Sequence, residues 1–155
     1  MGSKKLAFLA KKSKFSKVSL VINEEVIKFN LFDELRVNQD NVNSELNNQP
    51  AVYSYLTSIL ANLTKDYKKK LLEKEKIFAR QFIKAKDDFY KHHFKNTSDE
   101  YASSQAKTSI AYLKAAKLEI EAEEKVNIFK GIVEAFRQRA NSLQQISANN
   151  RKDFS

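Results

Sequence analysis

Between Pro50 and Phe94 apolar side chains return every three or four residues: Leu56, Ile59, Leu60, Leu63, Tyr67, Leu71, Phe78, Phe82, Ala85 and Phe89. That spacing marks one face of an α-helix. The other faces carry Lys65, Lys68, Lys69, Lys70, Lys74, Lys76, Arg80, Lys84, Lys86 and Lys91. At about 1.5 Å per residue such a helix is roughly 65 Å long, and it is basic along most of its surface. The whole chain holds two glycines and one proline in 155 residues. Sandwiches and barrels need turn residues about every eight to twelve positions, so these folds are disfavoured.

The charge is uneven, and its distribution says more than the net value of +9. Residues 1–17 carry six lysines and no acid, whereas residues 18–50 carry two basic and six acidic side chains. Residues 51–97 carry eleven basic against five acidic, and residues 98–149 seven of each. The excess therefore lies in the leading arm and the first long helix, and basic proteins of this size usually meet nucleic acid or an anionic membrane. With no cysteine, disulfides and thiolate chemistry are excluded. No apolar run approaches 18 residues, and Leu6–Ala10 is too short for a signal-peptide core. A soluble intracellular protein is expected.

The first seventeen residues set Lys4, Lys5, Lys11, Lys12, Lys14 and Lys17 around Leu6, Phe8, Leu9 and Phe15. They read either as a basic arm that follows phosphates or as a solubilising tail. Val18, Leu20, Val21 and Ile22, then Val26, Ile27 and Phe29, flank Asn23-Glu24-Glu25 and predict a small β-hairpin. The acids around it (Glu24, Glu25, Asp33, Glu34) suit a protein contact or a structural cap better than a DNA surface. A short helix is expected from Asp40, an apt N-cap, through Val42 and Leu46. Pro50 then fits the first position of the long helix, with Asn48 or Gln49 as its cap.

That helix is expected to end near Phe94. Thr97-Ser-Asp-Glu100 reads as a capping box for a second helix running to Asn149, bent or frayed over Ala102–Ser109. Gly131, its one interruption, costs roughly 1 kcal/mol. The second helix carries a wide apolar stripe: Val126, Phe129, Ile132, Val133, Phe136, Ala140 and Leu143, flanked by Ile128 and Ile146. One partner helix covers too little of it, and left in water it would form a large patch. Either the N-terminal hairpin or a second copy must cover it. Self-association through Phe129, Ile132, Val133, Phe136 and Leu143 is the economical expectation. The expected fold is thus mainly α and oligomer-forming: a long antiparallel helical hairpin (helices about 50–95 and 98–149) within a helical domain over 38–155. The basic arm spans 1–17, and the β-hairpin with its linker 18–37.

Catalytic chemistry finds no footing. His92 and His93 diverge by about 100° on a helix and cannot chelate one ion, which leaves them as helix C-terminal cations. Asp87 and Asp88 diverge likewise, and fit a solvent-facing surface or pairing with Lys84 and Lys91. No phosphate-cradling glycine loop and no nucleophile with a base is present, so neither enzymatic activity nor a cofactor or metal is expected. The positive feature is lysine interleaved with aromatics: Lys84, Lys86 and Lys91 beside Phe82, Phe89 and Tyr90. Cations plus stacking rings bind single strands without reading sequence. The competing interpretation is a core stripe of Phe82 and Phe89 beneath a merely soluble basic face.

The octapeptide Ile83-Lys-Ala-Lys-Asp-Asp-Phe-Tyr90 resembles the basic signature of the phage recombination mediator family, the UvsY type. There an aliphatic residue precedes Lys-Ala-Arg, an acid and paired aromatics. Asn48-Gln-Pro-Ala-Val-Tyr-Ser-Tyr55 resembles the start of the family's long helix, and Arg139 to Phe154, with Arg151, its C-terminal end. The resemblance covers residues 40–155. It implies single-stranded DNA binding through Lys84 and Lys86, with Arg80, Lys91 and Tyr90 nearby. It also implies a ring-shaped homo-oligomer aided by the C-terminal helix, acting in the cytoplasm of an infected bacterial host. The implied partners are a RecA-like recombinase and the single-strand binding protein that coats its substrate, with no membrane. The second basic residue is lysine here, so a bidentate phosphate grip is lost. The rival reading is a non-enzymatic helical structural or assembly protein of a phage particle, and a third is a membrane-surface binder using the arm.

Overall fold

A computed structural model describes residues 17–22, 25–38 and 41–152. Residues 1–16 of the basic arm over 1–17, the Asp40 cap and Phe154 lie outside the described residues. The chain is mainly helical. Strands β1 (Lys17–Ile22) and β2 (Glu25–Asn30) form a two-stranded antiparallel ladder with Val18 opposite Phe29 and Leu20 opposite Ile27. Four helices follow: α1 (Leu31–Leu35), α2 (Val42–His93), α3 (Asp99–Thr108) and α4 (Ile110–Lys152). Two compact units emerge, Met1–Asn62 with Ile128–Ser155, and Leu63–Asn127, so α2 and α4 each contribute to both.

In the first unit Val42, Leu56 and Ile59 of α2 are buried, as are Phe129, Ile132, Val133, Phe136 and Leu143 of α4. These last five are the residues expected to join copies of the chain, and that expectation is corrected: they are core within one chain. The start of α2 also differs from expectation at Pro50. It was expected to open the long helix, but α2 begins at Val42 and runs through it. An internal proline removes one backbone hydrogen bond and costs about 3 kcal/mol in a helix interior. The turns before it are held independently, since Val42 and Gln49 are buried. Arg139 of α4 also donates from Nη2 to Glu45 Oε2 at 3.0 Å and to the Arg36 carbonyl at 3.2 Å. These extra turns thus lie beside Arg139 of α4.

The second unit closes differently. Its buried side chains are mostly small: Ala102, Ala106, Ala115 and Ala122, with Leu63 and Val126. Opposite them α2 carries large half-buried residues, among them Tyr67, Leu71, Phe78, Phe82 and Phe89. Lys74 meets Glu119, Phe78 meets Tyr112 and Lys86 meets Asp99, a descending order that makes the segments of this unit antiparallel. The expected single second helix is divided at Ser109, whose backbone is extended. Its hydroxyl donates to the Ala106 carbonyl at 2.8 Å and accepts from the Tyr112 N–H at 3.2 Å, ending one helix and starting the next. The start of α3 is one residue later than expected, because Ser98, not Thr97, accepts from the Tyr101 N–H. Gly131 is accommodated within α4, and a Cβ there would meet nothing within 4 Å.

The C-terminus of α2 is capped by Phe94, which adopts φ 52° and donates its N–H to the Tyr90 carbonyl at 2.8 Å. Side chains other than glycine pay roughly 1–2 kcal/mol for that left-handed geometry. Phe94→Gly is therefore expected to raise stability by about 0.5–1 kcal/mol, read as a higher urea midpoint. Phe129→Ala, which empties a fully buried position, is expected to lower stability by about 3–5 kcal/mol in the same titration. If Phe129 instead joined copies of the chain, the alanine variant would lose particle mass at unchanged unfolding midpoint.

Candidate nucleic-acid interface

Within the second unit, residues 63–93 of α2 hold ten basic and five acidic side chains. Besides Lys65 and Lys68, five of the cations are exposed: Lys69, Lys76, Arg80, Lys84 and Lys91. Taking about 100° per residue from Arg80, they fall within an arc of roughly 80°. Asp66, Glu73 and Asp87 share that arc, which leaves a net excess of positive charge along one face. Tyr90 is exposed too, about 80° around the helix on a neighbouring band with Ile83 and Leu72.

Lys86 stands apart. It lies about 200° from Lys84 and is turned toward the start of α3. Its ammonium sits 2.5 Å from the Asp99 carboxylate and 5.0 Å from the centre of the Phe82 ring. Asp99 is in the first turn of α3, where the helix dipole already favours an acid. Lys86 keeps 42% of its side chain in water beside Asp99, on a different face from Lys84. The exposed companions of Lys84 are Arg80, four residues before it, and Lys91, seven after.

The aromatics divide in the same way. Phe82 packs on Phe78 at 6.0 Å between ring centres, and Phe78 meets Tyr112 edge-on at 6.0 Å. Phe89 meets Tyr101 at 5.3 Å and the His93 ring at 4.4 Å. Phe82 and Phe89 thus belong to the interior side of α2, and of the three sequence-selected rings Tyr90 alone is presented to solvent. An open groove of about 350 Å³ runs beside Lys84, lined among others by Gln81, Asp88, Phe89, His92, Tyr101 and Gln105. Asp87 and Asp88 are exposed and pair with neither Lys84 nor Lys91. Among the described residues no three of His, Cys, Asp and Glu converge as metal ligands, and no helix is long and apolar enough to cross a membrane.

One cation of this helix is structural. Lys74 reaches Glu119 of α4 at 3.1 Å, and Glu119 is buried. The sequence pattern groups Lys74 with the solvent-facing lysines, and nothing local to it signals a partner 45 residues away. Partial burial pulls the Lys74 ammonium down, but the hydrogen bond and charge of Glu119, with smaller contributions from Tyr112 and Tyr67, leave it above its ordinary value of 10.5. A raised folded-state value means that the pair's contribution is complete below the unfolded lysine value and lost as pH rises through the folded one. Lys74→Met is expected to cost about 1–3 kcal/mol at neutral pH, because it strands a buried carboxylate. In urea titrations the gap between wild type and variant should close above pH 10.5. A gap independent of pH would show that packing rather than charge joins these residues.

No family model matches this chain, and neither the curated proteins nor the solved structures contain a match.

Proposed function

We propose that this chain is a single-stranded DNA binding recombination mediator that acts as a homo-oligomer, its helices paired in a long antiparallel hairpin. The observation that carries the reading is the exposed stripe of Lys69, Lys76, Arg80, Lys84 and Lys91 along one face of α2. The octapeptide around Lys84 supports it through its resemblance to the mediator family. Phosphates of a flexible strand follow such a stripe without any base being read, and Tyr90 at its edge offers one ring for stacking. Because the cations sit on a helix rather than a loop, their spacing is fixed before the strand arrives.

In this mechanism the strand is taken up by repeated stripes in a ring of subunits. Its hold on the coating single-strand binding protein weakens, and a RecA-like recombinase nucleates on the bent segment. No catalytic step, cofactor or metal is involved. The strand-binding set is Arg80, Lys84 and Lys91 with Tyr90 beside them. Lys86, drawn toward Asp99, lies off this face.

Each phosphate neutralised on a single strand contributes about −0.7 to the slope of log affinity against log salt. Replacing Arg80, Lys84 and Lys91 together by alanine is therefore expected to flatten that slope by about 2, with helicity unchanged. Lys86→Ala should leave the slope near the wild-type value. An oligonucleotide bound by the triple variant with unchanged affinity and slope would overturn the reading in favour of a structural or assembly protein whose basic face only solubilises it. Preferential binding to anionic vesicles over the oligonucleotide would favour a membrane-surface role.

A further inference from the structure

The groove beside Lys84 lies within the second unit and takes its walls from two helices. Lys84, Asp88 and His93 reach it from α2, and Tyr101 and Gln105 from α3. Its volume of about 350 Å³ falls at the lower end of small-molecule sites, which run from roughly 300 to 1,000 Å³. That is room for one planar heterocycle with its sugar, and not for a duplex.

Two properties of the groove suit a base better than a phosphate. The first is aromatic. Phe89, His93 and Tyr101 all line it, and the Phe89 ring centre lies 4.4 Å from that of His93 and 5.3 Å from that of Tyr101. His93 is exposed and Tyr101 is 44% exposed, so ring surface remains for a ligand to lie on. The second is polar. Gln81 and Gln105 bring one side-chain amide from each helix. An amide offers both donor and acceptor, and by turning over it meets the edge of any base. Asp88 adds a carboxylate, which repels a phosphate but accepts from the amino group of a base.

The position of the groove matters as much as its lining. Lys84 belongs both to it and to the exposed stripe with Arg80 and Lys91. Measured around α2 from Arg80, Lys84 lies at about 40° and Asp88, Gln81 and His92 at about 80–120°. They stand on the side of the stripe away from Tyr90. A strand whose phosphates follow the stripe therefore runs along the rim of the groove.

We propose that the groove receives one unstacked base of the bound strand. The base lies against Tyr101 and His93 with its edge on Gln81, Gln105 and Asp88, while Lys84 holds the adjoining phosphate. The proposal rests on the strand-binding reading and adds a base-accepting site to it. Stacking and a reversible amide take any base, so the strand is gripped without its sequence being read. Each occupied groove draws a base out of the strand's own stack, which kinks the strand at a fixed place on each subunit.

The test compares, on the full chain, an oligonucleotide with an abasic sugar–phosphate strand of equal length. The base-bearing strand is expected to bind the wild type roughly tenfold tighter, the order of one stacked base. Tyr101→Leu and Gln105→Leu should each cut that ratio about threefold or more, with salt slope and circular dichroism as in the wild type. Gln105 is exposed, so its variant tests the groove even if Tyr101→Leu loosens α3. In a second measurement a strand carrying iodouracil is irradiated and its adducts are mapped, with attachment to Tyr101 or His93 expected. An unchanged ratio in Gln105→Leu, or adducts confined to Tyr90, would overturn the proposal. A wild type that binds both strands alike with a normal salt slope removes the groove site and leaves the strand-binding reading standing. A wild type that binds neither strand ends both.

Discussion

The first unit depends on a guanidinium. Arg139 joins three segments distant in sequence: its own helix, the carboxylate of Glu45 on α2 and the carbonyl of Arg36 before that helix. Both charged side chains are largely withdrawn from water. In that setting removal of either partner strands a charge, which costs far more than the pair contributes over a well-packed apolar substitute. The pair therefore specifies more than it stabilises. It tells the chain which turns of α2 belong beside α4, and the apolar residues supply the energy. In the same unit Phe129 and Leu143 are fully buried within a single chain.

This explains which parts of the fold were legible. The long apolar period from Leu56 to Phe89 predicts its helix directly, because every step of three or four residues repeats the same face. Pro50 misleads because local chemistry assigns it a helix start, whereas Glu45 and Val42 hold the preceding turns from outside the local sequence. Phe129 to Leu143 mislead because the width of a stripe does not say whether its cover comes from the same chain or from another. Ser109 was within reach. It follows a run of small and polar residues, and serine caps helices readily, yet capping cannot be told from fraying until the Tyr112 N–H is seen to return to its hydroxyl.

The second unit was harder to read because its core signal is the absence of bulk. Ala102, Ala106, Ala115 and Ala122 are buried, although alanine carries little hydrophobic weight in a periodicity count. Their role is steric. Small side chains on α3 and α4 let α2 approach with Phe78, Phe82 and Phe89 turned inward, and the aromatic contacts with Tyr112 and Tyr101 follow from that approach. The same packing engages Lys74 and Lys86, whose partners Glu119 and Asp99 sit far along the sequence. Lys74, which looks like its neighbours in the sequence, is thereby committed to structure, whereas the Lys86 pair stays at the surface.

What remains on the outside of this unit is organised by helical geometry. Around α2 the inward aromatics, the Leu72–Ile83 band and the Arg80–Lys84–Lys91 stripe occupy successive sectors of one cylinder. A helix has room for three such sectors only if each is narrow, and narrow sectors are what steps of four, seven and eleven residues produce. The octapeptide around Lys84 touches all three: Phe89 inward, Ile83 and Tyr90 on the apolar band, Lys84 on the basic stripe. A substitution there that changes bulk on one sector also shifts the others, because a packed helix moves as a rigid body and not one side chain at a time. That sharing gives a physical reason for so much of the chemistry to be concentrated in one short segment of a long helix.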